Sequence, residues 1–389
     1  MTSAERTSQA VDIDIVIVNW NTGPHLRACL RSLGRADRSD PRVARITVVD
    51  NASNDDSLQG LDSSGVPLDI VRNADNRGFA AACNQGAARG ESEFTLFLNP
   101  DTELYPDALR ALGHFLNSRA AEDIGICGGR MVDARGRPAI SCSRFPSLRI
   151  FLGKMTGLDR LLPTVFPPHH LRPEETTASG PVDQVIGAFF LVRRSLFREL
   201  GGFDERYFLY FEETDLALRA RRHGWGSYYV AQARVHHTGG VSSGQLGGGR
   251  LRHSLCSRCL YAFRHWSRGR AWALVALTLT VEPVTRLGRA VLRHDPVEFR
   301  DTLSGYWGFL RWLLDEGHPH GNDQPPSPAA SADDGPGAPL GAAPHPGRPL
   351  RADSASSPVT AAGGAGPAGG RHQRPTGVVP PVPSGRRRP

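Results

Sequence analysis

The sequence predicts an α/β fold built on a mainly parallel sheet, and three observations carry the prediction. Short apolar runs rich in Val and Ile alternate with helical stretches, each run gives way to Asn or Asp, and helix-start residues follow the first of them. Residues 13–19 form the first expected strand. Thr22-Gly23-Pro24 is expected to cap a helix running to about Leu33, because a Thr hydroxyl accepts an orphan N–H and Pro suits a first turn. Residues 45–50, 68–72 and 94–98 are the next strands, with a helix over 79–89 between the last two. Further on, 182–192 reads as one buried strand, 214–223 as an amphipathic helix, and 227–230 and 234–236 as two short strands. Residues 148–180 show no such rhythm. After Gly249 the pattern is helical to about Leu314, with Trp, Leu and Val on one side and Arg on the other.

Composition narrows the classes. A chain of 389 residues with 39% hydrophobic residues has material for a substantial core, and six scattered Cys make no disulfide framework. The close pair Cys256 and Cys259 lacks a second CxxC or His pair to complete a zinc site, so reduced thiols are expected. The first residues, MTSAERTSQAVDID, carry acids where a signal peptide needs a basic flank and an apolar stretch, so no export signal is expected and a cytoplasmic location is. Charge is uneven: residues 1–243 hold 28 basic and 29 acidic groups, residues 244–317 hold 11 and 6, and the remainder 7 and 4. The excess of positive charge suits anionic lipid or phosphate better than a nucleic-acid groove.

The expected organisation is therefore a flexible N-terminus (1–10), an α/β domain (11–243), a basic amphipathic helical region (244–317) and a disordered Pro/Gly/Ala-rich tail (318–389). The run 271–281 is too short for the roughly twenty apolar residues of a membrane span. It reads either as a helix lying in a membrane interface or as one packed on the α/β domain.

In open parallel sheets ligands bind beyond the carboxyl ends of the strands. Here those ends are Asn19-Trp20-Asn21, Asp50-Asn51-Ala52-Ser53, Asn73-Ala74-Asp75-Asn76 and Asn99-Pro100-Asp101. Such a set suits a nucleotide, with Asp50 accepting from a pyrimidine N–H and Asp101 giving oxygen to a divalent cation between two phosphates. The first βα unit has neither a GxGxxG turn nor a GxxxxGK[ST] loop, which argues against a dinucleotide dehydrogenase and a P-loop NTPase. A second acidic cluster, Glu212-Glu213 with Asp215, opens a helix and offers a general base for a sugar hydroxyl, although carboxylates at a helix start also simply complement its dipole. His236-His237 precede a Gly-rich loop and offer a further metal or phosphate contact.

Seven segments in order, IVIVNWN, VVDNASND, NRGFAAACNQG, FLNPDTEL, IGAFFLVRR, GGFDERYFLYFEETDLALR and HHTGG, resemble family 2 inverting glycosyltransferases, especially the bacterial rhamnosyltransferase-like branch, over roughly residues 11–243. The resemblance implies the GT-A nucleotide-diphospho-sugar transferase fold, a Rossmann-like mixed and mainly parallel sheet. It implies that Asp50 binds the base, that Asn19, Asn21 and Asn76 line the donor pocket, and that Asp101 holds Mg2+ or Mn2+ on the diphosphate. Asn99 stands where the family's first DxD aspartate would be and is expected at ribose or sugar. The family's acidic pair falls on Glu212-Glu213, with Glu213 at the base position; Glu for Asp adds one methylene. His237 matches the metal-side histidine, or His236 if the loop is shifted by one. Gly187-Ala188-Phe189 resembles the acceptor-side wall, and Arg219 and Arg222 are expected to brace the site or meet phosphate.

The function so implied is metal-dependent inverting transfer of a sugar, rhamnose at branch level, from a dTDP- or UDP-sugar. The acceptor expected is a hydroxyl of a lipid-linked or cell-envelope glycan, with the basic region 244–317 at the inner membrane face and no nucleic-acid partner. A nucleotidyltransferase would carry a GxGTR-type loop where VNWNTGPH stands. A non-catalytic carbohydrate- or nucleotide-binding scaffold is the alternative of a different class.

Overall fold

Strand alternation decides which face each side chain of the first strand takes, and in the computed structural model both faces are covered. The structure describes residues 11–315; the N-terminus (1–10) and the tail (318–389) expected above lie outside the described residues. The first part of the chain comprises β1 (Asp12–Asn19), α1 (Gly23–Arg35), β2 (Arg42–Asp50), β3 (Leu68–Arg72), α2 (Phe79–Ala87) and β4 (Phe94–Leu98). Ile13, Ile15 and Ile17 of β1 pack with Leu26, Leu30 and Leu33 of α1, while Val16 and Val18 pack with Ala80, Ala82 and Cys83 of α2. No helix separates β2 from β3.

The chain continues through β5 (Thr102–Leu104), α3 (Ala108–Leu116), β6 (Ile124–Val132), β7 (Cys142–Ser143), α4 (Leu148–Thr156), α5 (Leu158–Leu161), β8 (Gly180–Val182), β9 (Gln184–Val185), β10 (Phe189–Arg193) and α6 (Arg194–Glu199). It then forms α7 (Glu212–Arg222), β11 (Gly226–His237), α8 (Gly248–His265), α9 (Arg268–Leu292) and α10 (Pro296–Asp315). The main sheet has nine strands in the order β3-β2-β1-β4-β10-β6-β11-β5, with β8 also on β11. β3, β2, β1 and β4 run parallel, β10 runs antiparallel between β4 and β6, and β6 is parallel to β11. Because β10 is reversed, its first residues meet the carboxyl ends of its neighbours, with Phe189 opposite Leu98. One sheet edge therefore gathers the ends of β1, β2, β4 and β11 and the start of β10.

Several expectations are corrected. The strand expected over 182–192 is three, β8, β9 and β10, broken at Ile186-Gly187-Ala188. The break lets the Ala188 carbonyl accept from the Asn99 N–H at 3.0 Å, tying β10 to the end of β4. The two short strands expected near 227–236 are one, β11, whose register against β6 shifts between Val230 and Arg234. Residues 148–180, expected without rhythm, begin with α4, whose Ser147 accepts the Ile150 N–H at 3.3 Å. Strand β6 escaped the apolar pattern because its glycines replace side chains where other groups come close: a Cβ on Gly129 would lie 2.0 Å from the Ala233 carbonyl oxygen.

The expected cap on α1 also differs. Thr22 does not cap its own helix but donates its hydroxyl to Asn19 Oδ1. The Gly23 N–H donates instead to Ser57 Oγ at 2.9 Å and Asp55 Oδ2 at 3.0 Å, so the loop after β2 caps α1 from outside.

Beyond the sheet, α8 and α10 share a core of Leu255, Cys259, Tyr306 and Phe309, and Ala271 and Leu274 of α9 pack with Phe151 and Met155 of α4. The inner side of the 271–281 run is thus committed to helix packing. No described helix is long and apolar enough to cross a membrane.

Candidate active site

The gathered sheet edge opens into a cavity of about 460 Å3. Its walls include Asn76, Asn99 and Asp101 from the ends of β3 and β4, Gly187 and Ala188 from the break before β10, Glu212 and Glu213 from the start of α7, and His237 from the end of β11. The lining extends from Val18 to Arg250, more than two hundred residues apart in sequence.

Asp101 lies 3.4 Å from His237, carboxylate oxygen to Nε2, and is only 6% exposed. Burial acts to raise its carboxyl, but the His237 imidazole, by hydrogen bond and charge, and backbone N–H groups including that of Val241 bring it below its ordinary value. Adjacent strand residues face opposite ways, and His236 consequently turns toward Glu103, 4.0 Å away, and does not line the cavity. Among the described residues no cluster of three or more His, Cys, Asp or Glu could cage a metal. The Asp101 carboxylate at the wall of an open cavity nevertheless suits a hard divalent cation, which keeps waters and takes further oxygens from phosphate, and the His237 nitrogen stands beside it as a second donor.

Glu212 and Glu213 occupy the first turn of α7. Each has one carboxyl oxygen shut from solvent without a hydrogen-bond partner. Burial pushes both carboxyls upward, and the neighbouring Glu213 charge adds to the rise at Glu212. The lead-in is strained: Tyr210 and Phe211, both with φ of 71°, adopt left-handed conformations that non-glycine residues rarely take. Gly187 faces this pair, for a Cβ there would stand 3.7 Å from Glu213 Cγ. A side chain larger than Ala at that position would fill the space beside the carboxylate.

The remaining sequence-expected residues are placed differently. Asn19, Asn21 and Asp50 do not line the cavity. Asn19 Nδ2 donates to Asp50 Oδ1 at 2.7 Å and to Ser53 Oγ at 2.9 Å, and the Ser53 N–H donates to Asp50 Oδ2 at 3.2 Å, so these groups hold one another behind the wall. Asn21 accepts from the Asn54 N–H at 2.7 Å. Phe189 is fully buried in the core rather than on the acceptor side. Arg219 is spent on Asp215 at 2.7 Å and on the carbonyls of Leu200 at 2.7 Å and Gly202 at 2.9 Å, and Arg222 on His265 at 2.9 Å; both brace, and neither lines the cavity.

Some wall residues were missed from sequence. Asn51 lines the cavity where its neighbour Asp50 does not, and its side-chain amide donates to Asn76 Oδ1 and to the Gly78 carbonyl, both at 3.0 Å. Tyr210 and Arg250 meet across the wall, the Arg250 guanidinium donating to the tyrosine hydroxyl at 2.9 Å. Arg250 and His237 are the basic residues of this wall. No spacing rule ties Arg250 to the strand ends; only its place after the Gly247-Gly248-Gly249 run marked it.

A family model described as "Glycosyltransferase like family 2" matches residues 11–253. The chain belongs to this family. This glycosyltransferase has the GT-A fold and lies in the rhamnosyltransferase-like branch. It is 30% identical over 283 residues to the N-acetylglucosaminyl-diphospho-decaprenol L-rhamnosyltransferase of Mycobacterium tuberculosis, an alignment covering 67% of this chain and 89% of the relative. It is 31% identical over 148 residues to the rhamnosyltransferase WbbL of Escherichia coli, covering 38% and 53% of the two chains. It is 26% identical over 215 residues to the low-salt glycan biosynthesis hexosyltransferase Agl10 of Haloferax volcanii, covering 54% and 62%. The scaffold alternative yields to membership of a transferase family.

Proposed function

We propose that this glycosyltransferase moves rhamnose, with inversion, from a dTDP- or UDP-sugar to a hydroxyl of a polyprenyl-diphosphate-linked glycan. The observation that carries the reading is the convergence of Asp101, His237, Glu212 and Glu213 on one cavity with amide-bearing strand ends beside them. The M. tuberculosis relative's name supports the sugar and the class of acceptor.

In this reading Glu213 takes the proton of the acceptor hydroxyl, whose oxygen forms a bond to the anomeric carbon from the face opposite the diphosphate. The anomeric carbon–oxygen bond to the diphosphate breaks, and the diphosphate leaves with the electron pair. Asp101 and His237 would hold Mg2+ or Mn2+, which when bound supplies positive charge to the leaving phosphates. Asn76 and Asn99 position the donor, and Gly187 and Ala188 leave room for the acceptor. Asp50 would act on the base indirectly, by fixing Asn19 and the loop through Ser53. The test is transfer from a panel of dTDP-, UDP- and GDP-sugars to a synthetic polyprenyl-diphospho-N-acetylglucosamine. Rhamnosylated product from dTDP-rhamnose is expected; product from other sugars alone would overturn the assignment.

We place the enzyme peripherally on the inner face of an anionic membrane. Leu303, Trp307 and Leu314 on α10 are 50%, 62% and 79% exposed and recur with Phe299 and Leu310 at helical spacing, a stripe beside the one that buries Tyr306 and Phe309. The excess of Arg over acids in residues 244–317 adds attraction to anionic headgroups. Flotation of the full chain with anionic vesicles is expected, and Leu303→Ser with Trp307→Ser should abolish it; equal flotation of parent and variant would overturn this placement. Deleting 250–317 would be a poorer test, because α8 packs against the active site.

A further inference from the structure

The strained lead-in to α7 must be held by something other than its own backbone preference, because left-handed non-glycine residues persist only where surrounding contacts impose them. The contacts come from one face of α8. Arg250, Ser257, Tyr261 and His265, at spacings of seven, four and four, fall on one side of that helix. Arg250 meets the Tyr210 hydroxyl at 2.9 Å, and Ser257 Oγ donates to the Leu209 carbonyl at 2.8 Å. The Tyr261 ring lies 5.7 Å from that of Phe211, centroid to centroid. His265 reaches past the lead-in to Asp215 Oδ1 at 2.7 Å, two residues beyond Glu213. Its other ring nitrogen lies 2.9 Å from Arg222 Nη1, which can only donate, so Nδ1 accepts and Nε2–H donates to Asp215. Asp215 is fully buried, and its second oxygen accepts from Arg219 at 2.7 Å.

We infer that α8 is a splint for the catalytic helix, and that His265 is a positioning residue which orients Glu213 through Asp215. Only residues 248–253 of α8 fall within the family-matched segment, so Ser257, Tyr261 and His265 lie outside it. The C-terminal helices are then part of the catalytic apparatus. This inference rests on Glu213 being the base. Small displacements of a base cost rate far more than affinity, because the donor is held by other walls.

The test uses the full chain with His265→Ala, His265→Gln, Ser257→Ala and Glu213→Gln. His265→Ala is expected to lower kcat about tenfold or more with donor KM within about twofold. His265→Gln is expected to recover most of that rate, since its amide both donates to Asp215 and accepts from Arg222. Folded His265→Ala with parental kcat, alongside inactive Glu213→Gln, would overturn the splint alone; parental rate in Glu213→Gln would instead overturn the base reading. If His265→Ala yields no folded protein, Ser257→Ala decides. A fall in its kcat of about threefold or more at unchanged KM supports the splint, and parental kcat overturns it.

Discussion

Glu213→Gln is expected to cut sugar transfer by about a hundredfold or more while leaving the folded protein at least as stable as the parent. The amide copies the shape of the carboxyl but cannot take a proton from an acceptor hydroxyl. Its stability effect follows from burial, which raises the Glu213 carboxyl in the folded state. A carboxyl raised on folding favours the fold below its unfolded value, and that contribution is lost as pH rises through the folded value. Above the folded value the ionised, partnerless oxygen therefore costs stability, and Gln removes the charge. A rise in Tm is expected at pH above that folded value, shrinking as pH falls below it. In the parent, kcat/KM should fall as pH drops through the raised value, placing the acid limb above the usual carboxylate range. Transfer assays and melts on the same preparations check all three statements, and an acid limb in the ordinary Glu range would contradict the last.

Asp101→Asn is expected to lower transfer by a similar factor of about a hundred, through charge rather than proton transfer. Asp101 stays ionised because His237 and the backbone N–H groups outweigh its burial. Asn keeps an oxygen there but no charge, so a divalent cation held as proposed would lose its anionic ligand. Titration of Mn2+ against parent and variant in the presence of a nucleoside diphosphate is the direct readout. The parent should show a metal-dependent signal that Asp101→Asn lacks. Parental transfer by Asp101→Asn at limiting metal would remove Asp101 from the mechanism. The depressed carboxyl also gives the fold stability present above its unfolded value and lost as pH falls through the folded one, so the variant should flatten the acid side of the melting profile.

Much of the fold could be read directly. Alternating Ile and Val in β1, the apolar run of β4 and the amphipathic period of α7 each report a burial pattern confined to a few neighbouring residues. Less accessible were β6, whose glycines yield to Phe189, Val185 and Ala233, and the break at Ile186-Gly187-Ala188, whose purpose lies in Asn99 and Glu213. Thr22 reads as a cap by local rule, yet Ser57 and Asp55 cap the helix from another loop.

The site divides in the same way. Strand ends delivering Asn76, Asn99, Asp101 and His237, and the acidic start of α7, are local consequences of where apolar runs stop, so the linear chain determined them together with the fold class. Whether Asp50 faces a cavity or Asn19, whether Arg219 meets phosphate or Asp215, and that His265 supports a helix fifty residues earlier were decided only in three dimensions. The reason is that a strand or helix period is set by neighbours a few residues away, whereas a polar side chain's partner is set by whichever distant group folding brings within hydrogen-bond reach.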